Sequence, residues 1–132
     1  MTDIVALLLL IAVAGPCGGT TTPEVERCLA ADLARADAEL NRYYTAAVAR
    51  LAKDQQTVGI THLRASERAW IVYRDAECNA VYEWWKGGTI RGAMALGCQM
   101  RITRARTMTI WRNWLTYADS TPPLLPQPLD GD

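Results

Sequence analysis

The sequence predicts an all-α fold, a small antiparallel three-helix bundle running up-down-up and stapled by two disulfides. Three observations carry this expectation. Apolar residues recur at steps of three and four through three segments, no stretch sustains the alternation of a half-buried strand, and the connections between segments are short. With 132 residues, 50 % of them hydrophobic and 21 % charged, the chain suits one folded domain and is too apolar for wholesale disorder. Fourteen Lys and Arg balance fourteen Asp and Glu, which argues against a dedicated nucleic-acid binder.

Residues 4–14 (IVALLLLIAVA) are an unbroken apolar run. A membrane span needs about 20 such residues, so this run fits the core of a signal peptide, with Ala12 and Ala14 as the small residues before a cleavage point. Its n-region carries Asp3 and no base. The alternatives are lipidation at Cys17, against which the preceding Pro16 stands, and a buried N-terminal helix. The expected organisation is a leader over 1–14, an extended segment over 15–22, a helical domain over 23–118 and a proline-rich flexible tail over 119–132. Once the leader is removed, no membrane-spanning segment is expected.

The first helix opens at Thr22-Pro23-Glu24, where Thr22 can cap and Pro23 suits the first helical position. Its inward series is Leu29, Leu33, Ala36, Leu40, Tyr44, Ala47 and Leu51, and it should stop near Lys53. Residues 54–61, with Gly59, read as a connection. The second helix is expected over 62–85, with Leu63, Ser66, Trp70, Tyr73, Glu77 and Val81 on one face. Gly87-Gly88 should end it by adopting the left-handed cap conformation. The third starts between 89 and 93, turns Leu96, Met100, Thr103, Thr107, Ile110, Trp114 and Tyr117 inward, and stops at Thr121-Pro122-Pro123.

Four cysteines outside the leader are an even number, read as two disulfides in an oxidising compartment. Cys78 lies ten residues before Gly88 and Cys98 ten after it, so helices hinged there bring the two to one level. Cys17 would then pair with Cys28. The set Cys28–Cys98 with Cys17–Cys78 is also feasible, because the first and third helices begin at the same end. No Cys-x-x-Cys pair is present and His62 is the only imidazole, so neither zinc nor another cofactor is expected. Catalysis is not expected either. His62 stands at a helix start beside a loop, and the glycine pairs 18–19 and 87–88 do not form a phosphate loop.

A set of blocks then comes in a distinctive order: Cys17, Cys28, Asp37-Ala38-Glu39-Leu40-Asn41-Arg42-x-Tyr44, Arg68-Ala69-Trp70-Ile71, Tyr73-Arg74-Asp75-Ala76-Glu77-Cys78, Gly87-Gly88-Thr89, Cys98 and Thr103-x-Ala105-Arg106-Thr107. Together with Leu63 before the Arg68 block, they resemble the N-terminal domain of the lysozyme inhibitor LprI family over about residues 17 to 112. Glu67 stands where that family usually has Gln, and Thr89 where Ser is common. The resemblance implies a helical, disulfide-bonded protein exported to the periplasm or cell envelope, with lysozyme inhibition an activity of some relatives.

Within these blocks Asp37, Asn41, Arg74, Asp75 and Arg106 are the polar residues, and level counting from the first hinge puts Arg74 within reach of Asp37. They read as a hydrogen-bonded clamp between helices, with Tyr44 and Trp70 as core aromatics. Trp84 and Trp85 are adjacent and cannot both face inward, so at least one is expected at the surface. Between residues 84 and 118 stand six bases and no acid, a pattern that suits an anionic envelope polymer as well as helix packing. Two partner classes follow. One is a lysozyme-type glycosidase, met by Trp85, Lys86, Thr89 and Arg91 of the second turn. The other is a protein or anionic wall component bound without any effect on lysozyme.

Overall fold

A computed structural model describes residues 17–129; the apolar run of 4–14, and with it the expected leader, lies outside them. The described chain folds as α1 (Thr22–Lys53), α2 (Thr57–Trp84) and α3 (Arg91–Ile110), the last continuing into a π-helical turn (Trp111–Leu115). There is no strand among the described residues. The helical bundle and its two disulfides agree with the sequence reading, and the bridges are Cys17–Cys28 and Cys78–Cys98. α3 is the central element. It packs along α1 and against α2, whereas α1 and α2 meet over a much smaller area.

Local chemistry explains each boundary. Thr21, rather than the expected Thr22, is the N-cap of α1: its hydroxyl accepts from the Glu24 backbone N–H at 3.4 Å, and the Glu24 carboxylate accepts from the Thr21 N–H at 3.1 Å. These hydrogen bonds, with others from Thr20, hold the Glu24 carboxyl below its ordinary range. α1 ends in a Schellman pair, Gln56 N–H to Leu51 C=O at 2.8 Å and Gln55 N–H to Ala52 C=O at 3.1 Å. Gln55 takes the left-handed conformation at φ 57° where a glycine would ordinarily stand. Gln55→Gly is therefore expected to raise stability by about 1 kcal/mol, read as a higher urea midpoint at unchanged slope.

Because this motif closes the hinge in three residues, α2 begins at Thr57 and not near His62. Gly59, expected in the loop, sits inside the helix, where a Cβ would stand in ordinary contact with Leu51. The second turn also differs from expectation. No glycine among the described residues has positive φ. α2 is capped by Trp85 at φ −93°, and a Cβ on Gly87 would meet nothing within 4 Å.

The core gathers Leu40, Tyr43, Ala47 and Leu51 of α1 with Leu63, Ile110 and Leu115. Tyr43, not Tyr44, is the buried tyrosine, and its hydroxyl donates to the Pro126 carbonyl at 2.6 Å. Residues 119–132, expected to be flexible, therefore include a packed segment. Leu124 N–H donates to Leu115 C=O at 2.8 Å, Trp111 Nε1 donates to Leu125 C=O at 2.9 Å, and Leu125 packs on the core. The π turn leaves carbonyls of the final turn without helical partners. Arg50 of α1 supplies donors, reaching the Trp114 and Thr116 carbonyls at 2.7 Å while it covers the Tyr117 ring. Proline suits this segment because it adds no backbone donor to satisfy.

Burial, reinforced by Glu39, pushes the Tyr43 phenol above its ordinary value of 10.0. A phenol whose folded value lies above its unfolded one binds more protons when folded, so the stability it contributes is complete below pH 10 and is lost as pH rises beyond it. Tyr43→Phe is expected to remove that part of the alkaline loss and to lower neutral-pH stability by about 1 kcal/mol through the lost hydrogen bond. Denaturant titrations at pH 7 and above pH 10 check both.

Candidate functional site

The second turn, residues 85–90, projects from the end of the bundle where Cys78–Cys98 joins α2 to α3 across a Cα separation of 5.6 Å. Both sulfurs are buried, so the bridge fixes the turn from inside. Trp84 at 84 % exposure is the projecting aromatic, whereas Trp85, the residue singled out from sequence, is 37 % exposed and closer to the bundle. Ile90 is also at the surface.

Lys86, Thr89 and Arg91 line one hollow of about 650 Å³ together with Glu26 and Tyr82. Arg91 lies over the Tyr82 ring at 4.9 Å, which restricts its guanidinium. Lys86 stands 3.8 Å from Glu83 in an exposed pair, an interaction weak enough to exchange for another anion. The Glu26 carboxylate occupies the space that a Cβ at position 92 would need, so Gly92 lets α1 come close to the start of α3. The turn thus offers two cations, a hydroxyl and an aromatic ring on a rigid base.

The five clamp residues divide into two clusters and one outlier. Arg74 Nη1 donates to Asp37 Oδ1 at 2.8 Å and to Thr103 Oγ1 at 3.0 Å, joining all three helices. Its Nε lies 3.6 Å from Asp75 Oδ1, and its guanidinium lies over Trp70 at 5.0 Å. Arg106 belongs elsewhere: Nε donates to Glu67 Oε2 at 2.9 Å and Nη2 to Ser66 Oγ at 3.0 Å, tying α3 to α2. Asn41 bonds to none of these groups and lines a cleft between α1 and α2. Tyr44 and Trp70, expected in the core, stand half-buried on that cleft's walls, because α1 and α2 diverge where a tighter bundle would have enclosed them.

Sequence reasoning missed Glu67, noted only as a departure from the family pattern, and Trp84. For Glu67, its spacing of seven residues from Arg74 was the available signal, since it places both on one face of α2. His62 is exposed in the second turn of α2. Cys17, Cys28 and Asp32 gather with their ligand-type atoms within 4.8 Å, but the sulfurs are bonded to each other and so are not thiolate ligands. No helix of the described residues is long and apolar enough to cross a membrane.

A family model described as "Lysozyme inhibitor LprI" matches residues 16–109. An uncharacterized protein of Rhizobium meliloti (strain 1021), R02472, is 33 % identical over 89 residues, covering 61 % of this chain and 64 % of the relative. The chain thus matches just under two thirds of that relative's length. No solved structure gives a significant match.

Proposed function

The chain belongs to the lysozyme inhibitor LprI family, and on that premise we propose that it is an exported envelope protein that inhibits a lysozyme-type glycosidase by inserting its second turn into the catalytic cleft. One observation carries this reading: the disulfide-braced turn presents Trp84 at 84 % exposure next to Lys86 and Arg91. Glycosidases of this type hold two carboxylates across a cleft. Lys86 and Arg91 can donate to such carboxylates, and an indole can occupy a sugar subsite. Because the turn is fixed before binding, little further ordering opposes association. Two disulfides in a chain of this size suit an oxidising compartment, as does the apolar run at 4–14. The chain acts in this account as a binder and not as a catalyst.

The test is a lysis assay with lysozyme and purified protein. The parent should slow lysis. Trp84→Ala should weaken inhibition by about thirtyfold, the loss expected of an aromatic anchor worth about 2 kcal/mol. Adding Lys86→Ala and Arg91→Ala should weaken it further. Equal inhibition by parent and triple variant would reject the turn as the contact surface.

A second reading rests on α3 and the turn after it, where Arg101, Arg104 and Arg112 have no ion pair among the described residues. Such a basic face would hold an anionic envelope polymer in a salt-sensitive manner while leaving lysis untouched.

A further inference from the structure

The cleft between α1 and α2 is separate from the turn: Trp70 lies fourteen residues before Trp84, about 20 Å along the helix. Its walls are two ridges at helical spacing, Asp37, Asn41 and Tyr44 on α1 facing Glu67, Trp70 and Arg74 on α2, and its volume is about 290 Å³. We propose that this cleft binds a neutral glycan through one of its pyranose rings.

Asp37 is paired with Arg74 and Glu67 with Arg106, and Asp75 stands 3.6 Å from Arg74, so three carboxylates meet two guanidiniums and neither cation is free. An anionic ligand would have to break one of these pairs against an excess of carboxylate, whereas a neutral one leaves both intact. The hydrogen-bonding capacity that remains is large. Asp37 accepts from Arg74 at Oδ1 alone and Glu67 from Arg106 at Oε2 alone, so each carboxylate keeps an oxygen with no donor among the described residues. The Asn41 amide and the Tyr44 hydroxyl have no partner among the described residues. Arg74 Nε is buried and faces Asp75 Oδ1 at 3.6 Å, so it is not among the groups open to a ligand.

The apolar side of the cleft completes the match. Trp70 is half-buried, with the Arg74 guanidinium against one part of its ring system. A pyranose ring has C–H groups on its faces and hydroxyls around its edge. It can lie against an aromatic ring while its hydroxyls donate to carboxylates and accept from amide, phenol and guanidinium. A purely apolar ligand would leave these polar groups desolvated, and a phosphate would meet two carboxylates. The volume lies at the lower limit of small-molecule sites and admits one ring with its neighbours outside.

The test uses the full chain, ¹⁵N-labelled, and follows its five indole N–H signals during titration with cellotriose, with the β-1,4-linked trimer of N-acetylglucosamine, and with inorganic phosphate. A saturable shift of the Trp70 signal is expected with at least one trisaccharide, in the low-millimolar range, and none with phosphate. The Trp111 signal, whose N–H is bonded to Leu125 C=O, should stay in place. Asn41→Ala should weaken the sugar response about tenfold, the equivalent of one lost hydrogen bond. Tyr44→Phe keeps the ring and removes the hydroxyl, and should also weaken it. No saturable Trp70 shift with either trisaccharide, a response unchanged in both variants, or a response to phosphate alone would overturn the proposal. None of these results bears on lysozyme inhibition by the turn.

Discussion

Replacing Cys78 and Cys98 together by alanine is expected to destabilise the protein by about 3 kcal/mol and to weaken inhibition with it. The bridge closes a segment of 20 residues, and cross-linking a loop of that size restricts the unfolded chain by roughly that free energy. Its position makes the effect larger than that of the other bridge. α2 has two fully buried residues, Leu63 near its start and Cys78 near its end, while Val72 and Tyr73 between them are 69 % and 55 % exposed. Beyond Arg74, which bonds Thr103 of α3, the end of α2 is therefore held to α3 chiefly through the sulfurs, and without them it should fray toward the turn. Hydrogen exchange at residues 79–90 should rise more than at Leu40 to Leu51 in the double variant. Removing Cys17–Cys28 should cost less, because that bridge spans only 11 residues at the edge of the bundle and its sulfurs are half-buried.

Ile110→Ala is expected to cost about 3 kcal/mol by a different route, the transfer of a buried side chain plus the cavity left behind. Ile110 is 0 % exposed and stands where α3 passes into the π turn, packed in the cluster that holds Leu40, Tyr43, Ala47 and Leu115. The cavity would lie beneath the segment that docks Leu125 and Pro126, so loss of tail packing should accompany it. The urea midpoint should fall at unchanged slope, and the Trp111 indole should become accessible. A loss under 1 kcal/mol would mean that the tail collapses into the cavity and that the core is less rigid than described.

How much of this was legible in the sequence depended on whether a feature was local or relational. Helix periodicity located all three helices, since it needs only each segment's own residues. The same periodicity could not choose between Tyr43 and Tyr44, which lie three and four residues after Leu40. That choice depends on where α3 and the tail lie, and both sit on the Tyr43 side. Burial on α2 follows Leu63, Glu67, Trp70, Arg74 and Cys78, not the expected face with Ser66, Tyr73 and Glu77. Polar residues lie inward there because Arg106 and Asp37 meet them from neighbouring helices.

The tail was unreadable for a related reason. Its proline content excludes a helix or a ladder but does not exclude docking onto carbonyls and aromatic rings supplied by a π turn. Level counting brought Arg74 to Asp37 because the hinge between α1 and α2 is only three residues long. It could not place Arg106, whose partner Glu67 lies on the other side of Trp70. At the second turn, the adjacency of Trp84 and Trp85 announced an exposed indole, and the end of α2 decided which one.

The most direct measurement of the central claim is a chemical-shift map of the ¹⁵N-labelled chain as a lysozyme is added, run beside the lysis assay. The account predicts that the largest changes fall on residues 84–91, with the Trp84 indole among them, and that they saturate at the same lysozyme ratio as inhibition. Inhibition accompanied by changes confined to α1, α3 or the tail, with the turn unmoved, would contradict it.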